Sequence, residues 1–496
     1  MKKQISKIIA VLGMLIALCA MTTVSAETYG DFSYTVENGE VTITGYSGGE
    51  DIVMPDTIEG MPVTSIERGG IFAGKQLASV KFPIYLKQIG AYTFADSTIE
   101  TDITLPDGIT AISEGAFLNC TVDNIFIPAS VANMDDAFQE GCIVNINVSN
   151  DNMYYSSENG VLFDKDKKTL IYYPSRKAKS SYIVPDSVLT VESGAFVDCS
   201  LDTLMITNAS SMKSAFSRCY IENLIIGDGL SVLKGSFYGC SIKSIVLGKN
   251  ISTIDFGAFS MMGGPSCMEI PDNVKAIKSK AFNIAYSLNE IIIGSGVETI
   301  EPQAFYVCED LERISVSEDN QFYSSDENGI LFNKSKSTLI YHPAGIDNDG
   351  SYTAPNSVTT IESYAFYDNY RINITIPDTV IQINENVFSP KTTIYGHSGS
   401  YAETYALENN ITFVAIEKPK IEITEVEMGD YSGKAWDIVI DAFDRAKKYI
   451  ARFTDNGEER TGEIGFDKVE ADGGSVAFAV FLHTLRDNVE LNMYAE

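Results

Sequence analysis

Gly45-Tyr46-Ser47-Gly48-Gly49 has the spacing of a nucleophile elbow, in which a serine on a sharp strand-to-helix turn attacks an acyl carbon with the help of a histidine and an acid. Here the motif lies between Val41-Thr42-Ile43 and Ile52-Val53-Met54, two strand-like pieces, so the spacing predicts a hairpin turn. Thiol chemistry is the next possibility. Eight cysteines are present, and Cys120, Cys199, Cys219, Cys240 and Cys308 each lie three residues after a phenylalanine. A fixed place in a repeating pattern predicts an inward column of small apolar thiols, since free Cys packs as a buried hydrophobe. No C-x-x-C occurs, and His342, His397 and His483 stand far apart, so no metal set is expected. Asp347-Asn348-Asp349-Gly350 lacks the terminal Glu of a calcium loop and reads as a turn. Carboxylates are too common in this chain for any pair to stand out as acid and base. No catalytic residue and no cofactor motif is expected.

The elements that would carry such residues are set by a repeat. Phe72, Phe94, Phe117, Phe138, Phe196, Phe216, Phe237, Phe259, Phe282, Phe305, Phe366 and Phe388 recur mostly at 20 to 23 residues, usually after Ala. The unit from Leu288 shows alternation around Ile291 and Ile293, a strand signal. A closing Pro or Gly follows, as at Gly294, then a second extended piece, Val297 to Ile300. One unit cannot bury its apolar residues alone; stacked units share a continuous core. The fold class expected is therefore a mainly β repeat solenoid of about 12 coils.

The two long intervals, 138 to 196 and 305 to 366, each hold one coil plus an insertion. Glu158-Asn159-Gly160-Val161-Leu162-Phe163 through Tyr173-Pro174 is matched by Glu327-Asn328-Gly329-Ile330-Leu331-Phe332 through His342-Pro343. Each reads as a β-hairpin with a lysine-bearing turn, and His342 takes the place of Tyr173.

This pattern, with Phe32-Ser33-Tyr34 through Ile66 as a cap and Gly399-Ser400-Tyr401-Ala402-Glu403 through Phe413 as a closing coil, resembles the BspA-type leucine-rich repeat family of bacterial secreted and surface proteins. The resemblance covers about residues 28 to 416. It implies a leucine-rich-repeat solenoid and extracellular adhesion or protein binding, and it carries over no catalytic residue.

The ends extend the reading. Lys2, Lys3 and Lys7, the apolar run Ile8 to Ala20 and Val24-Ser25-Ala26 have the form of a signal peptide ending at residue 26. The run is shorter than the roughly 20 apolar residues of a membrane span. Export to the outside of the cell is expected, with no span. The net charge of −31, from 67 acidic and 36 basic residues, argues against nucleic acid and anionic lipid as partners. Beyond Lys418-Pro419-Lys420 the repeat stops. Strand-like runs at Ile421–Val426, Trp436–Ile440, Tyr449–Phe453, Val476–Leu482 and Val489–Tyr494 predict a small β-sandwich of immunoglobulin-like type over 417–496, with Trp436 in its core or, as the alternative, a platform for stacking a sugar.

A solenoid binds through its exposed sheet face. The residue between the two buried aliphatics of each strand points outward. That column is apolar in its middle, and Phe126, Met205, Ile225, Val246 and Ile292 are the candidate ligand-binding residues. The function expected is non-catalytic binding of an extracellular protein or glycan. The alternatives are a structural spacer at the cell surface, or glycan or cell-wall binding through the C-terminal domain. Oligomeric state is left open by the sequence.

Overall fold

A computed structural model describes residues 27–416, except 135, 213, 347–349 and 371, and beyond these the strands of the C-terminal region. Residues 1–26, where the signal peptide is expected, residues 347–349 and Trp436 lie outside the described residues. The chain divides into two compact units, Met1–Leu311 with Asp319–Gln321, and Glu312–Glu318 with Phe322–Glu496.

In the first unit the chain enters through three antiparallel strands, Glu27–Tyr29, Phe32–Glu37 and Glu40–Tyr46. The last of these pairs in parallel with Met61–Ile66, and from there the coils pair coil to coil. Successive coils align Ser200–Ile206, Tyr220–Ile226 and Ser241–Val246 as one parallel sheet. A second face stacks the short strands Val232–Leu233, Thr253–Ile254, Ala276–Ile277 and Thr299–Ile300. Gly45–Gly49 forms a corner between these faces. Glu40–Tyr46 and Asp51–Val53 pair with different partners, so the expected hairpin is absent there.

The third corner carries the repeat phenylalanine. Phe72, Phe94 and Phe117 stack with centroids 5.2 and 5.3 Å apart, and Phe196, Phe216 and Phe237 at 4.9 Å each. All are shielded from solvent. The corner is shaped by left-handed residues two positions before the phenylalanine, among them Tyr92, Gly115, Gly194, Ser214, Gly235 and Lys280. Each hands its N–H to the next coil, as Gly115 does to Asp136 and Ser214 to Gly235.

The expectation of about 12 coils is corrected to about 17 turns. Counting phenylalanines misses turns in which another ring fills the corner. Tyr46 meets Phe72 edge to face, and Tyr172 and Tyr173 lie against Phe138 and Phe196 on either side of the first insert.

Each insert is a three-stranded antiparallel meander, one strand more than the expected hairpin. In the first, Tyr155–Glu158, Val161–Asp164 and Thr169–Tyr172 run in that order. Asn159 and Gly160 both take positive φ, 50° and 78°, which a two-residue hairpin turn demands. The Lys165 Nζ donates to the carbonyls of Asn150 and Asn152, so this lysine is structural.

In the second unit the meander Tyr323–Ser325, Leu331–Asn333 and Thr338–Tyr341 repeats the plan. Lys334 again donates to a backbone carbonyl, that of Glu318, at 2.9 Å. His342, Phe366, Phe388 and Tyr405 continue an aromatic corner of this unit's own. The closing coil contains a helix, Tyr401–Glu408. The Ser400 hydroxyl accepts from the Glu403 N–H and the Glu403 carboxylate accepts from the Gly399 N–H, a reciprocal cap. The C-terminal strands form a six-stranded antiparallel sheet. Its longest member, Glu458–Asp472, is too polar to register as a strand by hydrophobic pattern.

The coils differ in one spacing. From Phe to the inward-facing residue just before the outward row is eight residues in the Phe117, Phe196, Phe216 and Phe237 coils (Ile125, Leu204, Leu224 and Ile245) and nine in the Phe94, Phe259 and Phe282 coils (Ile103, Met268 and Ile291). Coils of equal spacing pair, as at Leu204–Leu224 and Met268–Ile291, and the nine-residue Phe94 coil also pairs with the eight-residue Phe117 coil that follows it. Where the Phe237 coil is followed by the Phe259 coil, the sheet ends at Ser241–Val246 and a separate one begins at Cys267–Ile270, joined only by a bridge from Ser241 to Gly263. Pro265, which has no N–H, stands just past that bridge.

Candidate binding face

On the sheet face, side chains alternate between core and surface. Leu204 and Leu224 are fully buried, and Met205 and Ile225, one residue on, stand on the outer face. Parallel register aligns Ile183, Met205, Ile225 and Val246 in one row across four neighbouring strands. Ile183 is 62% and Val246 54% exposed, while Met205 and Ile225 are half-buried. The structure thus brings together three of the five candidate residues. Phe126 lies on a different sheet, between Thr104 and Asn147, and Ile292 lies beside Glu269 on a third. The column is interrupted, not continuous.

Ile183 was not among the candidates. It belongs to Ser181–Ile183, the strand that follows the first insert, where Tyr182 replaces the usual inward aliphatic. The signal for it is the alternation Tyr182, Ile183, Val184, with Val184 2% exposed.

Beside the apolar row runs a charged one. Lys179 contacts Asp202 at 3.2 Å and Glu222 at 2.8 Å, and Lys243 contacts Glu222 at 3.3 Å. Both ammonium groups also approach the Tyr220 ring, at 5.0 and 5.6 Å from its centroid. The two lysines hold the Glu222 carboxyl below the usual carboxylate range. Next to Phe126 an amide ladder forms: Asn124 donates to Asp102 at 2.8 Å, and Asn145 donates to Asn124 at 3.0 Å.

The groups that suggested chemistry are engaged otherwise. The Ser47 hydroxyl donates to the Asp31 carbonyl. Cys120, Cys199, Cys219, Cys240 and Cys308 are buried and in no disulfide, as the column reading expects; Cys142 is half-buried and Cys267 exposed. The Cys308 thiol donates to the Phe282 carbonyl at 2.8 Å, and the Cys219 thiol to that of Phe196. Burial pushes the Cys120 thiol up to about 12, so it stays protonated. His397 sits 3.0 Å from the Asp378 carboxylate. Among the described residues no group of three His, Cys, Asp or Glu side chains is placed to hold a metal ion. No described helix is long and apolar enough to cross a membrane.

Stacked coils, a parallel sheet face and an aromatic corner define a leucine-rich-repeat solenoid. The repeat profile described as "BspA type Leucine rich repeat region" matches residues 64–176, 167–236, 209–337 and 344–427, and the chain belongs to that family. No curated protein matches it. Similar solved structures include a leucine-rich repeat protein from Eubacterium ventriosum (18% identity, 62% of this chain and 99% of that one, TM-score 0.36). Another is the pneumococcal vaccine antigen PcpA (15%, 80% and 99%, TM-score 0.33). A third is a leucine-rich cell surface protein from Faecalibacterium prausnitzii (18%, 78% and 98%, TM-score 0.30).

Proposed function

We propose that the chain is an exported, non-catalytic binding protein that recognises an extracellular protein partner through the sheet face of its solenoid. The observation that carries this reading is the row Ile183, Met205, Ile225 and Val246, apolar side chains aligned on the outer face of one sheet. Exposed apolar surface of this kind on a solenoid marks an interaction site. Phe126 and Ile292 extend the same face on neighbouring sheets. Family membership supports a surface or secreted location, and the cell-surface description of the Faecalibacterium relative agrees with it.

In this reading residues 1–26 are a signal peptide, 27–416 the recognition domain and 417–496 a separate small β-sandwich. The antiparallel strands of the last region support its all-β character. The test is a binding screen of the purified chain against extracellular-matrix proteins and a glycan array, followed by the double substitution Met205→Asp, Ile225→Asp. Saturable protein binding that the double variant weakens by about ten-fold or more, roughly 1.4 kcal/mol, is the expected result. Binding untouched by a folded double variant removes the row from the site. Binding of glycans alone would move recognition away from it.

A further inference from the structure

The split between the Phe237 and Phe259 coils leaves a strand edge open in the middle of the sheet face. Where coils zip, the residue after each outward position donates its N–H to the outward residue of the next coil: Leu105 to Phe126, Val184 to Met205, Ala354 to Thr375. The matching bond from Leu247 to Glu269 is not formed, and among the described residues no strand pairs with the far edge of Ser244–Val246. The core is open at the same place. Leu224 and Ile226 on one side and Met268 and Ile270 on the other are buried, yet Ile245 and Leu247, their counterparts, are only half-buried.

We propose that this split is a strand-addition site for an extended peptide segment of a protein partner. An open edge offers unpaired backbone N–H and C=O groups, which an extended chain satisfies better than any other ligand. Alternate side chains of the added strand face inward over Ile245 and Leu247 and are apolar. The side chains between them face outward, beside Val246 and the exposed Glu269, with Glu290 on the next strand. In a chain of net charge −31, that wall calls for lysine or arginine at the outward positions. The partner segment therefore alternates aliphatic and basic residues. The proposal rests on the reading of the sheet face as the recognition surface and names what it recognises.

Cys267 stands on the wall of the split and, of the seven cysteines described, is the only exposed one. Its alkylation by iodoacetamide at mildly alkaline pH, followed by mass spectrometry, reports occupancy. The probe is a synthetic peptide of alternating valine and lysine with glycine at both ends, its affinity first measured by fluorescence polarisation. At about ten times its dissociation constant, the peptide slows Cys267 alkylation by about ten-fold. The same peptide N-methylated at alternate residues, and a valine–glutamate version, leave the rate unchanged. No slowing, or equal slowing by the N-methylated peptide, overturns the proposal. If the Met205→Asp, Ile225→Asp variant loses a matrix protein that gives Cys267 no protection, the apolar row stands and strand addition fails. A matrix protein that still binds the double variant at full strength and still protects Cys267 leaves strand addition standing and removes the row.

Discussion

The imidazole of His342 lies against the ring of Phe366, with centroids 5.1 Å apart and planes 31° from parallel. It fills the corner that Tyr173 fills in the first insert, where Tyr173 stacks on Phe196 at 4.9 Å. A titratable ring thus occupies an aromatic core position.

That placement makes stability depend on pH. Burial lowers the His342 imidazole to about 4. An unfolded histidine titrates near 6.5, so between the two values the unfolded chain holds more protons and stability falls as pH falls. The contribution is complete above about pH 6.5 and is lost as pH drops through about 4, up to roughly 3 kcal/mol. His342→Tyr, which copies the first insert, removes this dependence. Urea denaturation of the second unit at neutral pH and near pH 4.5 is the measurement; identical pH profiles for both proteins would sink the argument.

Asn152 is fully buried and uses its whole amide. Its Nδ2 donates to the carbonyls of Pro128 and Val131 at 3.0 and 2.9 Å, and its Oδ1 accepts from the N–H groups of Tyr154 and Tyr155, both at 2.8 Å. Asn152→Ala strands four backbone groups and is expected to cost roughly 2–4 kcal/mol. Asn152→Asp does not rescue it, because a carboxylate cannot donate to the two carbonyls. The Nδ2 of Asn320 makes the equivalent bonds to Gly294 and Val297, so the same substitution there should cost a similar amount.

Ser214 is exposed and holds φ at 54°, between Gly194 and Gly235 at the same place in the flanking coils. A left-handed non-glycine residue costs about 1–2 kcal/mol, offset in part by the greater unfolded-state freedom of glycine. Ser214→Gly should therefore raise stability by about 0.5–1 kcal/mol. A lower denaturation midpoint in the variant would show that the corner tolerates serine without strain.

Phe216 and Phe237 are stacked neighbours, 4.9 Å apart. Either change to Ala should cost about 3–5 kcal/mol. The double change should cost less than the sum, because each cavity relaxes into the other. Additive losses would mean that the corner does not act as a connected column.

Much of this architecture can be read from period alone. Phe at 20 to 23 residues, Val297 with Ile300, and the twin inserts announce stacked coils, since burial constrains those positions to repeat. The inward thiols follow from the same register. The unread parts are those where burial does not constrain residue type. Tyr46, Tyr172, Tyr173 and Tyr405 fill the corner as well as phenylalanine does, so a count of phenylalanines falls short. The candidate face was legible as a list of outward residues, but not as a surface. Neighbourhood depends on which coils pair, and the sheet opens between Val246 and the strand carrying Glu269, where a coil of nine-residue spacing follows one of eight. That order of spacings is invisible to a search for periodicity that tolerates 20 to 23.

The two coil spacings also set a rule of inheritance. Each coil bonds only to its neighbours, and coils of equal spacing are interchangeable at the joint. The Phe216 coil sits between two others of the same eight-residue spacing, so losing or copying it whole leaves every remaining bond with a partner of the right kind. Removing the Phe237 coil instead would bring the Phe216 coil against the longer Phe259 coil and recreate the opening one step earlier, with Ile225 at its rim. Length in such a chain can therefore drift by recombination, while the position of the opening follows the place where a coil of eight-residue spacing is succeeded by one of nine.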